Sequence, residues 1–442
     1  MIPAIRLYFL LAIAIPIALF LAMLVNLQTS IIGTLLFDSV IISLAIIDAV
    51  RVKSHRVEVT RHPLHRLSIG RDNPVLLSVR SSPRAALTAN QTAKIQLRDS
   101  YPIEFDVSQP LLEASIDPNS DRELTYTVRP QNRGEYKWGD IQVRQLGIWG
   151  LAWHDWKIPA SEKVAVYPDL MMLKELSIRL TLQNSGTMRR LQKLGMGTEF
   201  AELREYSIGD DPRLIDWKAT ARRSRPLIRV LEPEKEQTLI ILLDRGRLMT
   251  ARVQGLKRFD WGVNAALSLA SAGLHRGDRV GVGVFDREIT TWIPPERGQH
   301  QLSKLIERLA PIQPVLLEPD YVGAVTKIVN QQSRRALVVL ITDLVDVTAS
   351  TEMLSALARL TPRYLPFCVT LRDPLVDKIA HSPTVEITPA YNRAVALDLL
   401  AQRQVDFAQL KQKGVLVLDA PANQISEQLV DRYLQLKSRN QL

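Results

Sequence analysis

Cysteine is nearly missing: Cys368 is the sole one in 442 residues, which excludes an internal disulfide framework and any cysteine-rich zinc or iron–sulfur site. There is no internal repeat, no Gly/Ser linker and no low-complexity tract, so the chain is not a repeat array or a flexible spacer. No Gly-Lys-Ser/Thr phosphate loop occurs; Gly195-Met196-Gly197 runs into Thr198-Glu199-Phe200, with no strand before it. No nucleophile elbow, H-E-x-x-H motif or local Cys/His signature is found. His62 and His65 form a lone H-x-x-H with no third ligand and read as solvated surface. Charge is missing over all of residues 7–37. What is present, 46% hydrophobic and 23% charged residues, excludes a disordered chain and supplies two or three cores. The net charge of +10 suits an acidic partner or an anionic membrane without choosing between them.

A helix needs about 20 apolar residues to cross the hydrocarbon core. The uncharged run reaches a polar knot, Asn26-Leu27-Gln28-Thr29-Ser30, and a second apolar stretch covers residues 31–50. The expectation is a two-helix transmembrane hairpin over residues 1–54, with both ends on one side. Arg6 before it and Arg51, Lys53 and Arg56 after it place that side in the cytoplasm, making the chain a multi-pass inner-membrane protein with a cytoplasmic body. A cleaved signal peptide at 7–25 is the competing reading; one n-region arginine and no small-residue cleavage site support it poorly. Residues 31–50 would then stop transfer, and the body would still face the cytoplasm. Asp48 is expected at the membrane interface, whereas Asp38, costly at mid-membrane unless paired, is expected to face a helix partner or to be neutral.

Residues 55–168 read as six or seven short alternating strands, including 57–59, 75–79, 94–97, 124–128, 141–143 and 164–167, and predict a β-sandwich. Residues 169–234 form a separate segment, and within 176–230 eleven basic side chains face six acidic ones. From 235 to 442 strands and helices alternate, which predicts a doubly wound α/β domain. Expected strands lie at 238–243, 279–285, 288–293, 336–341, 364–370 and 415–418. Expected helices lie at 259–274, 302–309, 321–332, 352–360, 394–413 and 424–436.

In open α/β sheets, sites form at the strand carboxyl ends. Asp244 and Asp343 each end a strand and Asp346 follows closely, so oxygen ligation of Mg²⁺ or a similar ion and helix capping are both open readings. The Arg222-Arg223-Ser224-Arg225 run could meet phosphate, but carboxylates are interspersed nearby and no RNA-reading aromatic motif accompanies it. Protein contact is therefore favoured over nucleic acid.

Gly197-Thr198-Glu199-Phe200-Ala201-Glu202-Leu203-Arg204-Glu205-Tyr206, then Gly209-Asp210-Asp211-Pro212-Arg213-Leu214-Ile215-Asp216-Trp217-Lys218 and Thr220-Ala221-Arg222, closely resembles the signature of the bacterial domain-of-unknown-function 58 family. Further family features are Arg133-Gly134-Glu135-Tyr136, Leu146-Gly147-Ile148-Trp149-Gly150-Leu151, Val166-Tyr167-Pro168 and Gly277-Asp278-Arg279-Val280-Gly281, so the resemblance spans nearly the whole chain. It implies a membrane anchor, a β-sandwich, the signature segment and a von Willebrand factor A-like domain. It further implies a non-catalytic adaptor role beside a MoxR-type AAA+ ATPase. A-like domains hold a cation through D-x-S-x-S at the first strand, with a threonine and a later aspartate. Here Asp244-Arg245-Gly246-Arg247-Leu248 keeps the aspartate and lacks both serines, so any Mg²⁺ site at Asp244 and Asp343 is degenerate. The alternative function is a divalent-metal-dependent hydrolase using Asp244, Asp343 and Asp346. The segment Gly197–Arg222 is expected to pack on the A-like domain and present charged contacts, with Glu199, Arg204, Asp210, Arg213 and Asp216 forming a mixed network. Phe200, Tyr206 and Trp217 are expected to pack apolarly.

Overall fold

The structure is a computed structural model and describes residues 2–24, 27–54, 56–64, 66–80, 92–117, 120–191, 199–207, 209–232, 237–332, 334–344, 347–383 and 387–439. The chain divides into two compact units, Met1–Tyr167 and Pro168–Leu442.

In the first unit, helices Ile5–Leu24 and Leu27–Ser54 lie against each other. One stretch, Ser30–Lys53, is long and apolar enough to cross a membrane; the apolar part of the first helix, Ile5–Ile17, is shorter. The ends of both helices hold a turn of the following β structure. Residues Ile2–Pro3 pair antiparallel with Trp153 and Ala152, and the Ala4 amide donates to the Leu151 carbonyl at 3.0 Å. Asp48, fully buried, accepts the amides of Trp149 at 3.0 Å and Leu151 at 3.1 Å, one on each carboxylate oxygen. Two main-chain donors are what a buried carboxylate requires. A Cβ at Gly147 would stand 2.1 Å from Asp48 Oδ2, and Gly150 has φ +70°, so both glycines of the Leu146–Leu151 motif are fixed by the close approach and the turn. Leu151 packs among Leu7, Leu11, Ile41 and Ala45. Asp38 has one buried oxygen without a hydrogen-bond partner among the described residues.

The β structure comprises an antiparallel five-stranded sheet (Ile2–Pro3, Ala152–Ile158, Ile141–Leu146, Ala93–Asp99, Leu112–Ile116) and an antiparallel four-stranded one (Glu58–Arg61, Asn73–Arg80, Asp121–Pro130, Phe105–Val107). A mixed three-stranded sheet joins Arg66–Ser68, Glu162–Tyr167 and Gly134–Trp138. Period-2 burial governs them: Val75, Leu77 and Val79 are fully buried, and the residues between them are not. Eleven strands are described from Glu58 to Tyr167, where six or seven were expected. The additional ones are short or carry polar side chains at open positions, as in Ala152–Ile158, and so lack a full apolar alternation. The buried Arg61 guanidinium ties this unit together, binding Asp99, the Gly139 carbonyl at 2.9 Å and the Ala160 carbonyl at 2.8 Å. Its neighbour His62 is exposed and bonds Ser78 at 2.7 Å; His65 lies outside the described residues.

The second unit starts with helix Leu170–Leu191, which packs through Leu173 and Leu180 on helix Arg258–His275. A hairpin, Glu199–Glu205 with Leu227–Glu232, encloses the short helix Trp217–Arg223. The rest is a six-stranded sheet in the order Ile289–Glu296, Arg279–Phe285, Thr238–Asp244, Leu337–Thr342, Leu365–Arg372, Leu416–Pro421. Every pairing is parallel except that of the outer strand Ile289–Glu296. Leu239, Ile241 and Leu243 enter one core with helices Arg258–His275 and Ile425–Ser438. Ile240 and Leu242 enter another with Tyr321–Gln331 and Val347–Ala358. A strand buried on both faces must read as an unbroken apolar run, which is how it stood out in the sequence. Gly281 and Gly283 mark close packing: a Cβ at Gly281 would lie 2.8 Å from Pro295. Asp278 of the Gly277–Gly281 motif is buried and holds the C-terminal helix through Tyr433 and Lys437. Helix Pro374–His381 was not expected, and helix Ile387–Gln412 begins seven residues earlier than expected. In those added turns residues 388 and 390–393 are exposed, Tyr391 among them, so no apolar stripe announced them.

Candidate functional site

Strand Thr238–Asp244 ends on one candidate carboxylate, and strand Leu337–Thr342 leads directly into the other, Asp343. Leu243 pairs with Ile341, so the two aspartates share the carboxyl edge of the sheet. Asp244 and Asp343 are each 1% exposed, and both are engaged by the chain itself. Asp244 Oδ1 accepts the Gly246 amide at 2.7 Å; Oδ2 accepts the hydroxyls of Thr342 at 2.7 Å and Tyr321 at 3.2 Å. Burial pushes its pKa up to about 6, against the pull of those three hydrogen bonds.

Asp343 meets cations. Its Oδ1 accepts Arg403 Nη1 at 2.9 Å and the Leu344 amide at 2.8 Å. Its Oδ2 faces Arg258 Nη1 at 2.8 Å, an ion pair whose angle falls outside a hydrogen bond. Arg403 reaches on to Asp419 at 2.7 Å, and Asp419 accepts Thr370 Oγ1 at 2.9 Å and faces Arg372 at 3.4 Å. Burial alone would lower the pKa of Arg403, but Asp343 and Asp419 outweigh it and hold the guanidinium above its ordinary value. The strand ends thus form a buried lock of alternating carboxylates and guanidiniums.

This donor set does not fit a divalent ion. Both Asp343 oxygens face arginine, and there is no room for a serine at 246: a Cβ there would stand 2.8 Å from the Leu317 carbonyl and 3.0 Å from Asp244 Oδ1. The arginines of the loop itself turn to other partners, Arg245 to Asp286 at 2.6 Å and Arg247 to Glu318 at 2.6 Å. Among the described residues no cluster of three or more His, Cys, Asp or Glu could hold a metal. Asp346, the third carboxylate of the hydrolase alternative, lies outside the described residues. Arg403 was not foreseen, because it sits in the long helix Ile387–Gln412 without a local pattern. Arg258 carried one signal: a cation at a helix N-terminus opposes the helix dipole.

Among the described residues of the signature segment the ion pairs are separate, Arg204 with Asp210, Arg229 with Asp216 and Arg225 with Glu205 at 3.0 Å, where one network was expected. Asp210 accepts the Ser207 amide at 2.8 Å and Arg204 at 2.8 Å. Asp216 caps helix Trp217–Arg223 through the Lys218 and Ala219 amides and pairs with Arg229 at 2.8 Å. The hydrogen bonds of Ser207 and Arg229 respectively hold Asp210 and Asp216 below the usual carboxylate range. Arg213 donates its amide to Asp211 at 2.9 Å, and Arg222 is exposed. Tyr206 is half-buried, its amide bonded to the Pro226 carbonyl. Trp217 corrects the packing expectation: it is 71% exposed, and helix Trp217–Arg223 buries none of its residues, whereas Leu227 and Ile228 of the adjoining strand are buried. The side chains of Glu199 and Phe200 lie outside the described residues.

A family model described as "Protein of unknown function DUF58" matches residues 202–410. That is narrower than the near-complete resemblance expected from the motifs, and it leaves the upstream motifs outside the match. An uncharacterised protein of Mycobacterium tuberculosis is 26% identical over 151 residues, covering 34% of this chain and 48% of that protein. The uncharacterised YeaD of Bacillus subtilis is 23% identical over 192 residues, covering 42% and 45%. The chain spans about half the length of the curated relatives it matches. Among solved structures, the major subunit of Escherichia coli aggregative adherence fimbriae covers 25% of this chain, at 13% identity and a TM-score of 0.18, too slight a likeness to carry an argument.

Proposed function

We propose, taking the match of residues 202–410 to a family without assigned activity as the premise, that the protein is a membrane-anchored interaction module and not a catalyst. The observation that carries this reading is the lock at the strand ends, where Arg258 and Arg403 each approach Asp343 within 2.9 Å. Guanidiniums stand where an adhesion-type domain would place its ion, so recognition runs through side chains instead of a metal. The sheet order, with its second strand flanked by an antiparallel edge strand, supports the von Willebrand A-like reading. Outward-facing Ile31, Ile32, Leu35, Leu36 and Val40 support an anchor, since an exposed apolar face of that size is unfavourable in water. Helix Ile5–Leu24 completes a hairpin, and Arg51, Lys53 and Arg56 set its ends on the cytoplasmic side. The family resemblance supplies the partner class, a MoxR-type AAA+ ATPase, and the exposed Trp217 with Lys218 and Arg222 is the surface offered to it.

The test is cross-linked capture with the full-length protein in membranes, compared with Trp217→Ala and Arg222→Ala. An AAA+ ATPase captured by the parent and lost from both variants supports the reading. Capture unchanged in both variants, or the absence of any such ATPase, overturns it.

A further inference from the structure

The turn held by Asp48 presents two large apolar side chains outward. Ile148 is 41% and Trp149 40% exposed, although the backbone beneath them is fastened by the Asp48 carboxylate and the Gly147–Ala152 and Gly150–Gly147 hydrogen bonds. A turn so firmly fixed could bury these side chains or replace them. Instead they stand beside cations: the Arg51 guanidinium lies over the Trp149 ring at 4.9 Å, and the exposed Arg6 lies against Gly150. The position along the helix is equally specific. Asp48 to Arg51 is where the apolar stretch Ser30–Lys53 gives way to charge, and Leu36, three turns away, would lie roughly 18 Å deeper. Arginine stacked on tryptophan, beside isoleucine, at the end of a membrane-length helix has the composition of a headgroup layer contact.

We infer that the turn Gly147–Leu151 is a second membrane contact, with Ile148 and Trp149 lying at the boundary of headgroups and acyl chains and Arg6 and Arg51 meeting lipid phosphates. The inference rests on the anchoring proposed above. Its consequence is that the β structure is seated on the bilayer at a fixed height instead of hanging from a linker.

Single nitroxide labels on cysteines at Ile148, Trp149, Leu36 and Ile103 of the full-length protein, in phosphatidylethanolamine–phosphatidylglycerol vesicles, test it. Their accessibility to oxygen and to an aqueous nickel reagent reports depth. The native Cys368 is buried and its thiol is pushed up to about 12, so it stays unlabelled. Ile103 is 97% exposed and follows the strand end at Asp99, which pairs with Ile141. That end of strand Ile141–Leu146 is roughly 17 Å from the turn, so Ile103 serves as the aqueous reference. The expected result places labels 148 and 149 within about 5–10 Å of the headgroup–acyl boundary, with 36 deeper and 103 in water. Labels 148 and 149 as aqueous as 103, with 36 in hydrocarbon, overturn the inference and leave the anchor standing. Label 36 in water overturns both. A cysteine at 148 or 149 that loosened the turn would show in the mobility of its own spectrum, and the other of the two single-label variants then gives the reading.

Discussion

Replacing Arg403 by methionine removes the cation shared by Asp343 and Asp419 while keeping most of the side-chain volume. Both carboxylates are 11% exposed or less, so neither recovers its hydration when the guanidinium goes. Breaking a buried pair from one side costs about 3–5 kcal/mol. The lower end applies here, because Asp343 keeps Arg258 and Asp419 keeps Thr370 and Arg372. The assay is native-state hydrogen exchange on the full-length protein in detergent, following amides of strands Leu337–Thr342 and Leu416–Pro421. Their opening free energy should fall by about 3 kcal/mol, with strands of the first unit unaffected. Asp343→Asn combined with Arg403→Met should recover part of the loss, because one buried charge is removed with its partner. A loss below about 1 kcal/mol, or a double variant weaker by the full sum, would refute the idea that the strand ends form a charge lock.

The remaining expectations concern separate sites. Asp244 has a folded pKa near 6, above the ordinary 3.8, so the native state binds the extra proton and stability should decline as pH rises from about 4 to 6. The decline is on the order of 3 kcal/mol and should be much flatter in Asp244→Asn, as followed by urea unfolding across that range. Gly147→Ala should force Asp48 away from the Trp149 and Leu151 amides, costing about 2–3 kcal/mol and deprotecting those two amides to exchange. Trp217→Ala should change stability by no more than about 0.5 kcal/mol while weakening partner capture; a large loss of stability would return Trp217 to a packing role.

The α/β portion was legible because its strands are buried on both faces: residues 239–243 run without a polar side chain between Thr238 and Asp244, and Asp244 and Asp343 follow from the rule that sites form at strand carboxyl ends. Their partners were not legible. Arg258 and Arg403 reach Asp343 from helices far away in sequence, and no spacing links them. The glycine at 246 read as a lost ligand, whereas the approach of the Leu317 carbonyl shows that a side chain has no room there. In the first unit, Asp48 was expected at an interface from its place at a helix end. That its carboxylate caps a turn 101 residues later depended on tertiary contact alone. Trp217 was misread because a tryptophan between a capping aspartate and a lysine has the same local pattern whether it packs inward or faces water.

Metal titration of the full-length protein tests the central claim most directly. Calorimetry with Mg²⁺ and Mn²⁺ should give no saturable heat at the strand ends, and the trace of Asp343→Ala should be indistinguishable from the parent's. Saturable binding that vanishes in Asp343→Ala would mean that the arginines yield their place to an ion, contradicting the account.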